Sequence, residues 1–215
     1  MSDMSRDADS VRYIVLRKLA SGLRHTLLGE LQSIQFFAEL AGRLLDKGGE
    51  DAKMRECVDK LPGASQAAVA TCRSVIEWLR PEEGATTPVG EALQQCVRLV
   101  ADDWSMRGIA AKLDIPSTAS DARVDKSAVR ELIVTSLLAM SDSRPGPLDI
   151  EAVAEFADGE IVLRFASSRS DRTALLSPAT IYQALSLDDL AVLAQAHGVA
   201  CRRNGESVAL RFQAA

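Results

Sequence analysis

Leu23-Arg24-His25-Thr26-Leu27-Leu28-Gly29-Glu30 sits in the middle of a run in which apolar residues recur every three or four positions. At about 100° per residue, Leu16, Leu19, Leu23, Leu27, Leu31, Ile34, Ala38, Ala41 and Leu45 fall into one stripe and His25 lands opposite it. The period predicts a single amphipathic helix from about 11 to 47, ended by Gly48-Gly49. His25 then faces outward, with Ser21 and Gly22 one turn before it and Gly29 one turn after. A glycine inside a helix costs about 1 kcal/mol relative to alanine. Two of them beside one exposed imidazole predict that something has to reach the ring.

Outward from this helix the pattern repeats once and then changes. A second helical stretch from about 50 to 80 carries Met54, Val58, Leu61, Ala68, Cys72, Val75 and Leu79, with a kink or break expected at Pro62-Gly63. Two long helices joined by a short glycine turn make an antiparallel hairpin. A lone hairpin buries its stripes poorly, so a four-helix bundle built by two chains is the expected completion, making the protein a homodimer. Residues 81–88, with Pro81, Glu82-Glu83, Gly84 and Pro88, read as a linker. Beyond it come a helix at 89–106, a strand at 109–115, a buried helix at 126–140 and a hairpin of 148–156 and 160–166 about Asp158-Gly159. A Ser-, Arg- and Asp-rich loop, a helix at 186–197 and a last hairpin about Asn204-Gly205 follow. The fold class is α+β: a helical hairpin domain at 1–81, then an α/β sandwich at 88–215.

The 215 residues carry a net charge of −5, with 47% hydrophobic and 26% charged residues. This is a globular composition, and scattered basic residues on an acidic chain argue against nucleic acid and anionic membranes as partners. No signal peptide and no bilayer-length apolar run is evident, so a cytoplasmic location is expected. Cys57, Cys72, Cys96 and Cys201 form no CxxC pair and only two histidines are present, so the thiols are expected to be reduced and mostly buried, and no metal site is predicted. Asp102-Asp103 and Glu82-Glu83 read as solvated charge, Trp78 and Trp104 as packing residues near the domain junction, and His197 as a cationic helix end before Gly198.

A helical hairpin with an outward histidine, a short linker and this α/β order resembles the dimerisation and catalytic halves of sensor histidine kinases. Residues 89–116, with Trp104-Ser105-Met106-Arg107-Gly108-Ile109, look like the helix and first strand of the kinase ATP-binding domain; 125–140 look like its central helix and 190–212 like its closing segment. The departures fall at the motifs. Ala139 stands where the kinases have a magnesium-binding asparagine, Ser167-Ser168-Arg169-Ser170-Asp171 where they have the adenine-reading DxGxG loop, and Ala184-Leu185-Ser186-Leu187 where they have GLGL beside the phosphates. Backbone N–H groups of glycine-rich loops approach phosphate closely, so these losses together imply that no nucleotide cofactor is held.

His25-Thr26-Leu27-Leu28-Gly29 is similar to the HxxKG stretch of histidine-containing phosphotransfer domains, with Leu28 in place of lysine and Thr26 in place of the acid that follows the kinase histidine. The combination resembles the dimeric histidine phosphotransferases of the sporulation and ChpT type. That resemblance implies His25 as phosphoryl carrier. Response-regulator receiver domains would be the partners, a hybrid histidine kinase is a further candidate, and magnesium would be supplied only by the receiver. Lys18, Ser21, Gly22, Arg24, Gly29 and Gln32 border His25 and are the expected docking surface. Two alternatives stay open at this point: a binding module that holds a receiver or kinase without accepting phosphate, and an ATP-dependent kinase with divergent motifs.

Overall fold

The computed structural model describes residues 7–46, 51–79, 84–144, 146–174 and 183–215, without the side chains of residues 21, 51, 74, 75 and 77–79. The expected helix stop at Gly48-Gly49, the linker residues Pro81-Glu82-Glu83 and the Trp78 side chain lie outside the described residues. The element order is α1 (Ala8–Asp46), α2 (Asp51–Leu79), β1 (Thr86–Pro88), α3 (Val89–Arg107), β2 (Ala110–Asp114), α4 (Ser117–Ser120) and β3 (Arg123–Asp125). It continues with α5 (Lys126–Ser143), β4 (Leu148–Ala157), β5 (Glu160–Arg169), α6 (Leu187–Ala196), β6 (Ala200–Asn204) and β7 (Ser207–Gln213). The chain forms two units, Met1–Leu19 with Glu82–Ala215, and Ala20–Pro81.

In the α/β unit a five-stranded mixed sheet runs in the order β2-β4-β5-β7-β6, with β2 parallel to β4 and the other pairs antiparallel. Strand alternation sends Leu148, Ile150, Ala152 and Ala154 of β4, Ile161, Leu163 and Phe165 of β5, and Val208, Leu210 and Phe212 of β7 to the buried face. The intervening residues, including Glu151, Glu155 and Arg164, form an open, charged face. Helix α5 lies over the sheet's centre, and it is buried nearly all round, as a helix between a sheet and further helices must be. Local chemistry sets the ends of these elements. Asp125 caps α5 by accepting the Ala128 N–H at 2.7 Å, as a side-chain oxygen at this position does for an unpaired helix donor. Gly108 closes α3 in a left-handed turn (φ +70°), where a Cβ would also press on Pro147 at 3.2 Å.

Several expectations change. Helix α2 continues through Pro62, so the break, one of the two outcomes expected there, does not occur. Pro62 is exposed, so the carbonyl it leaves unpaired can be met by water instead of breaking the helix. Thr86–Pro88, expected as linker, is a strand pairing antiparallel with Arg123–Asp125, too short to show a period in sequence. Ser167–Arg169, expected as loop, are the end of β5, held in register against Leu148–Ile150 of β4. The final turn centres on Gly205-Glu206, and of its residues only Gly205 has positive φ (+58°). Cys57 and Cys96 are buried, but Cys72 is exposed. Burial pushes the Cys96 thiol up to about 12.

One division between the units falls at Pro81/Glu82 and a second within α1, so the first turns of α1 group with the α/β unit. Asp7 accepts the Ser10 N–H at 2.7 Å at the start of the helix, and Val11, Ile14, Val15 and Leu19 are buried. Arg12 Nε donates to Glu131 of α5 at 3.0 Å, and the other carboxylate oxygen of Glu131 meets His197 Nε2 at 2.5 Å. His197 ends α6 as its C-cap, and its ring is held against Glu131. Burial pushes the Glu131 carboxyl up, but the His197 hydrogen bond and the Arg12 charge outweigh it and hold the group below the ordinary glutamate value.

A lowered folded-state pKa stabilises the fold above the unfolded value and ceases to do so as pH falls through the folded one. Glu131→Gln is therefore expected to destabilise the protein by roughly 1–3 kcal/mol at neutral pH and by much less below the glutamate range. Urea unfolding at the two pH values checks this.

Candidate functional site

The unit Ala20–Pro81 carries His25 on α1, and the ring is exposed. Nothing lies within 4 Å of where a Cβ at Gly29 would stand. Packing inside the chain therefore gives no reason for glycine there. Gly42 and Gly63 are equally open, so openness alone does not single out Gly29; its place one turn from an exposed imidazole does. The Ser33 hydroxyl donates to the Gly29 carbonyl at 2.9 Å, a back-bond that competes with the helix's own ladder. Arg24 and Gln32 are exposed, Gly22 is half-buried, and the Ser21 side chain lies outside the described residues. Leu28, three residues past His25, is 51% exposed, giving the ring an apolar neighbour.

Lys18 does not belong to this surface. Its ammonium pairs at 2.8 Å with Asp142, whose side chain is 2% exposed, so the cation is engaged within the α/β unit. The sequence could not show this, because a lysine six residues before Arg24 on an amphipathic helix reads as solvated.

Between α1 and α2, Thr71 Oγ1 donates to Glu30 Oε1 at 3.0 Å, while Glu30 Oε2 is buried and has no hydrogen-bond partner among the described residues. Part of the apolar stripe is uncovered as well. Leu31, Leu45 and Val58 of the two stripes are exposed, and so are Val69 and Ile76 beside the α2 stripe.

In the α/β unit the three segments aligned with nucleotide motifs are built otherwise. Ala139 is fully buried and offers no polar group. Ser167–Arg169 are committed to β5. At the start of α6, Leu185 N–H donates to Asp142 Oδ2 at 2.9 Å and Ser186 N–H donates to Asp189 Oδ2 at 2.9 Å, so both backbone donors already hold carboxylates of the chain. Ser186 and Asp189 complete a capping box. On the open face of the sheet a shallow trough is crossed by the ion pairs Lys112–Glu151 and Asp149–Arg172, one cation for each anion. Among the described residues no group of three His, Cys, Asp or Glu side chains is placed to hold a metal, and no helix is long and apolar enough to cross a membrane.

No protein-family model matches the sequence, and neither does any curated protein. Solved structures do. The chain is similar to histidine kinase catalytic domains. The catalytic domain of histidine kinase ThkA matches with 12% identity over 62% of this chain and 97% of that one, at a TM-score of 0.45. A bacterial phosphotransferase matches with 15% identity over 92% and 95%, at 0.44. A histidine kinase from Burkholderia phymatum matches with 15% identity over 94% and 96%, at 0.42.

Because a Cβ at Gly29 meets nothing, Gly29→Ala is expected to stabilise the isolated protein by about 1 kcal/mol. Thermal unfolding monitored by circular dichroism checks the sign.

Proposed function

We propose that this protein is a histidine phosphotransferase of two-component signalling, carrying a phosphoryl group on His25 between receiver domains. The observation that carries this reading is the exposed His25 beside a glycine that nothing inside the chain requires. The sequence resemblance of residues 25–29 to phosphotransfer domains supports it. So does the occupation, by carboxylates of the chain, of the Leu185 and Ser186 N–H groups in the segment that aligns with the kinases' GLGL.

The chemistry asks little of the carrier. A neutral ring nitrogen of His25 attacks the phosphorus of a receiver aspartyl phosphate, the P–O bond to the aspartate breaks, and the carboxylate leaves. The reverse step loads a second receiver. Magnesium and the acceptor carboxylate belong to the receiver, so this chain contributes nucleophile, alignment and exclusion of water. Arg24, Gly29 and Gln32, with Gly22 and Ser21, form the docking surface around the ring, and Leu28 adds an apolar contact where phosphotransfer domains have a cation. The uncovered Leu31, Val69 and Ile76 and the orphaned Glu30 oxygen support pairing of the hairpin with a second copy in a four-helix bundle.

Leu28 and Thr26 also favour a second reading, in which the surface holds a receiver without accepting phosphate. Incubation with a phosphorylated receiver separates the two. Transfer predicts acid-labile label on wild type and none on His25→Ala, with the more stable Gly29→Ala slowed at least tenfold; equal label on His25→Ala, or binding with no label at all, contradicts it. Magnesium ATP is expected to leave Tm unchanged, whereas a nucleotide at a hundredfold its Kd would add about 2.7 kcal/mol; differential scanning fluorimetry reads the difference.

A further inference from the structure

Asp142 stands in the last turn of α5, and its side chain is 2% exposed. Two donors from distant parts of the chain converge on one oxygen, Oδ2. They are the Lys18 ammonium of α1 at 2.8 Å and the Leu185 N–H, just before α6, at 2.9 Å. Leu185 itself is buried at 2% exposure. A carboxylate removed from water is costly unless charged and hydrogen-bonding donors meet it, and here both kinds do.

The next residue repeats the arrangement, with Asp189 accepting the Ser186 N–H. Successive backbone N–H groups in a turn can together receive an external anion; here the second of them is held as one half of the α6 capping box. Here each is filled from within.

We propose that Asp142 is an internal anion: it takes the place at the start of α6 that a bound anionic ligand would fill, and so locks this segment closed without one. A single carboxylate then serves both α1 and α6. Drawing Lys18 away leaves the buried charge of Asp142 uncompensated and loosens residues 185–186; releasing those residues loosens the hold on α1. The device gives the α/β unit a way to respond to displacement of α1 instead of to nucleotide. It does not depend on phosphotransfer at His25.

Chemical rescue tests it. Asp142→Ala removes the carboxylate and leaves Lys18 and the Leu185 N–H facing a space the size of formate. The expected result is a lower Tm and severalfold faster hydrogen exchange at the Leu185 amide. Both should be reversed by formate at a concentration that leaves wild-type Tm unchanged, and not by chloride at equal ionic strength. Adding Lys18→Met to Asp142→Ala should abolish the formate effect. Failure of formate to reverse either change, or equal reversal in the double variant, overturns the proposal. If Asp142→Ala does not fold, Lys18→Met alone decides: faster exchange at the Leu185 amide supports the internal anion, and unchanged exchange overturns it.

Discussion

The clasp between the first turns of α1 and the central helix α5 is the contact on which the architecture of the α/β unit turns. Arg12 meets Glu131 at 3.0 Å and Lys18 meets Asp142 at 2.8 Å, on carboxylates three helical turns apart along α5. The buried Val11, Ile14, Val15 and Leu19 supply most of the attachment, since a fully buried aliphatic side chain is worth roughly 1.5–3 kcal/mol and a partly exposed ion pair far less. The ion pairs decide where along α5 the helix sits. A shift of one residue would part Arg12 from Glu131 and Lys18 from Asp142, leaving the nearly fully buried Asp142 with the Leu185 N–H and no cation, and losing the cation from a buried carboxylate costs more than the pair contributes when made.

The same logic separates two kinds of surface. Around α5 and α6 three donors are engaged by carboxylates of the chain: the Leu185 and Ser186 N–H groups by Asp142 and Asp189, and Lys18 by Asp142. At His25 the side chain is exposed and the nearby Gly29 is bare. The first group of contacts closes on itself, and the second leaves an imidazole open to whatever docks on α1.

Much of the fold was legible because its elements are long or their punctuation strong. The period of α1, the Asp158-Gly159 turn between β4 and β5, and Gly108 at the end of α3 are local signals, and local signals survive into the structure. Three-residue strands such as Thr86–Pro88 carry no period, and the last residues of β5 were hidden by polar side chains whose place in the ladder is set by β4. Pro62 misled because its cost depends on whether water reaches the freed carbonyl, which only the packing decides. At the site, exposure of His25 follows from its angle to the apolar stripe. The pairing of Lys18 with Asp142 joins residues 124 positions apart and has no sequence signature; neither has the Glu131–His197 pair.

Whether the exposed imidazole of α1 carries a phosphoryl group in transit is open to direct measurement. A pulse–chase measures it most directly: protein labelled by a phosphorylated receiver is freed of that receiver and mixed with an unphosphorylated one, and label is followed by position and time. The account predicts label on His25 alone, stable on the free carrier and passing to the receiver aspartate on mixing. Label on another residue, or release to water without transfer, would contradict it.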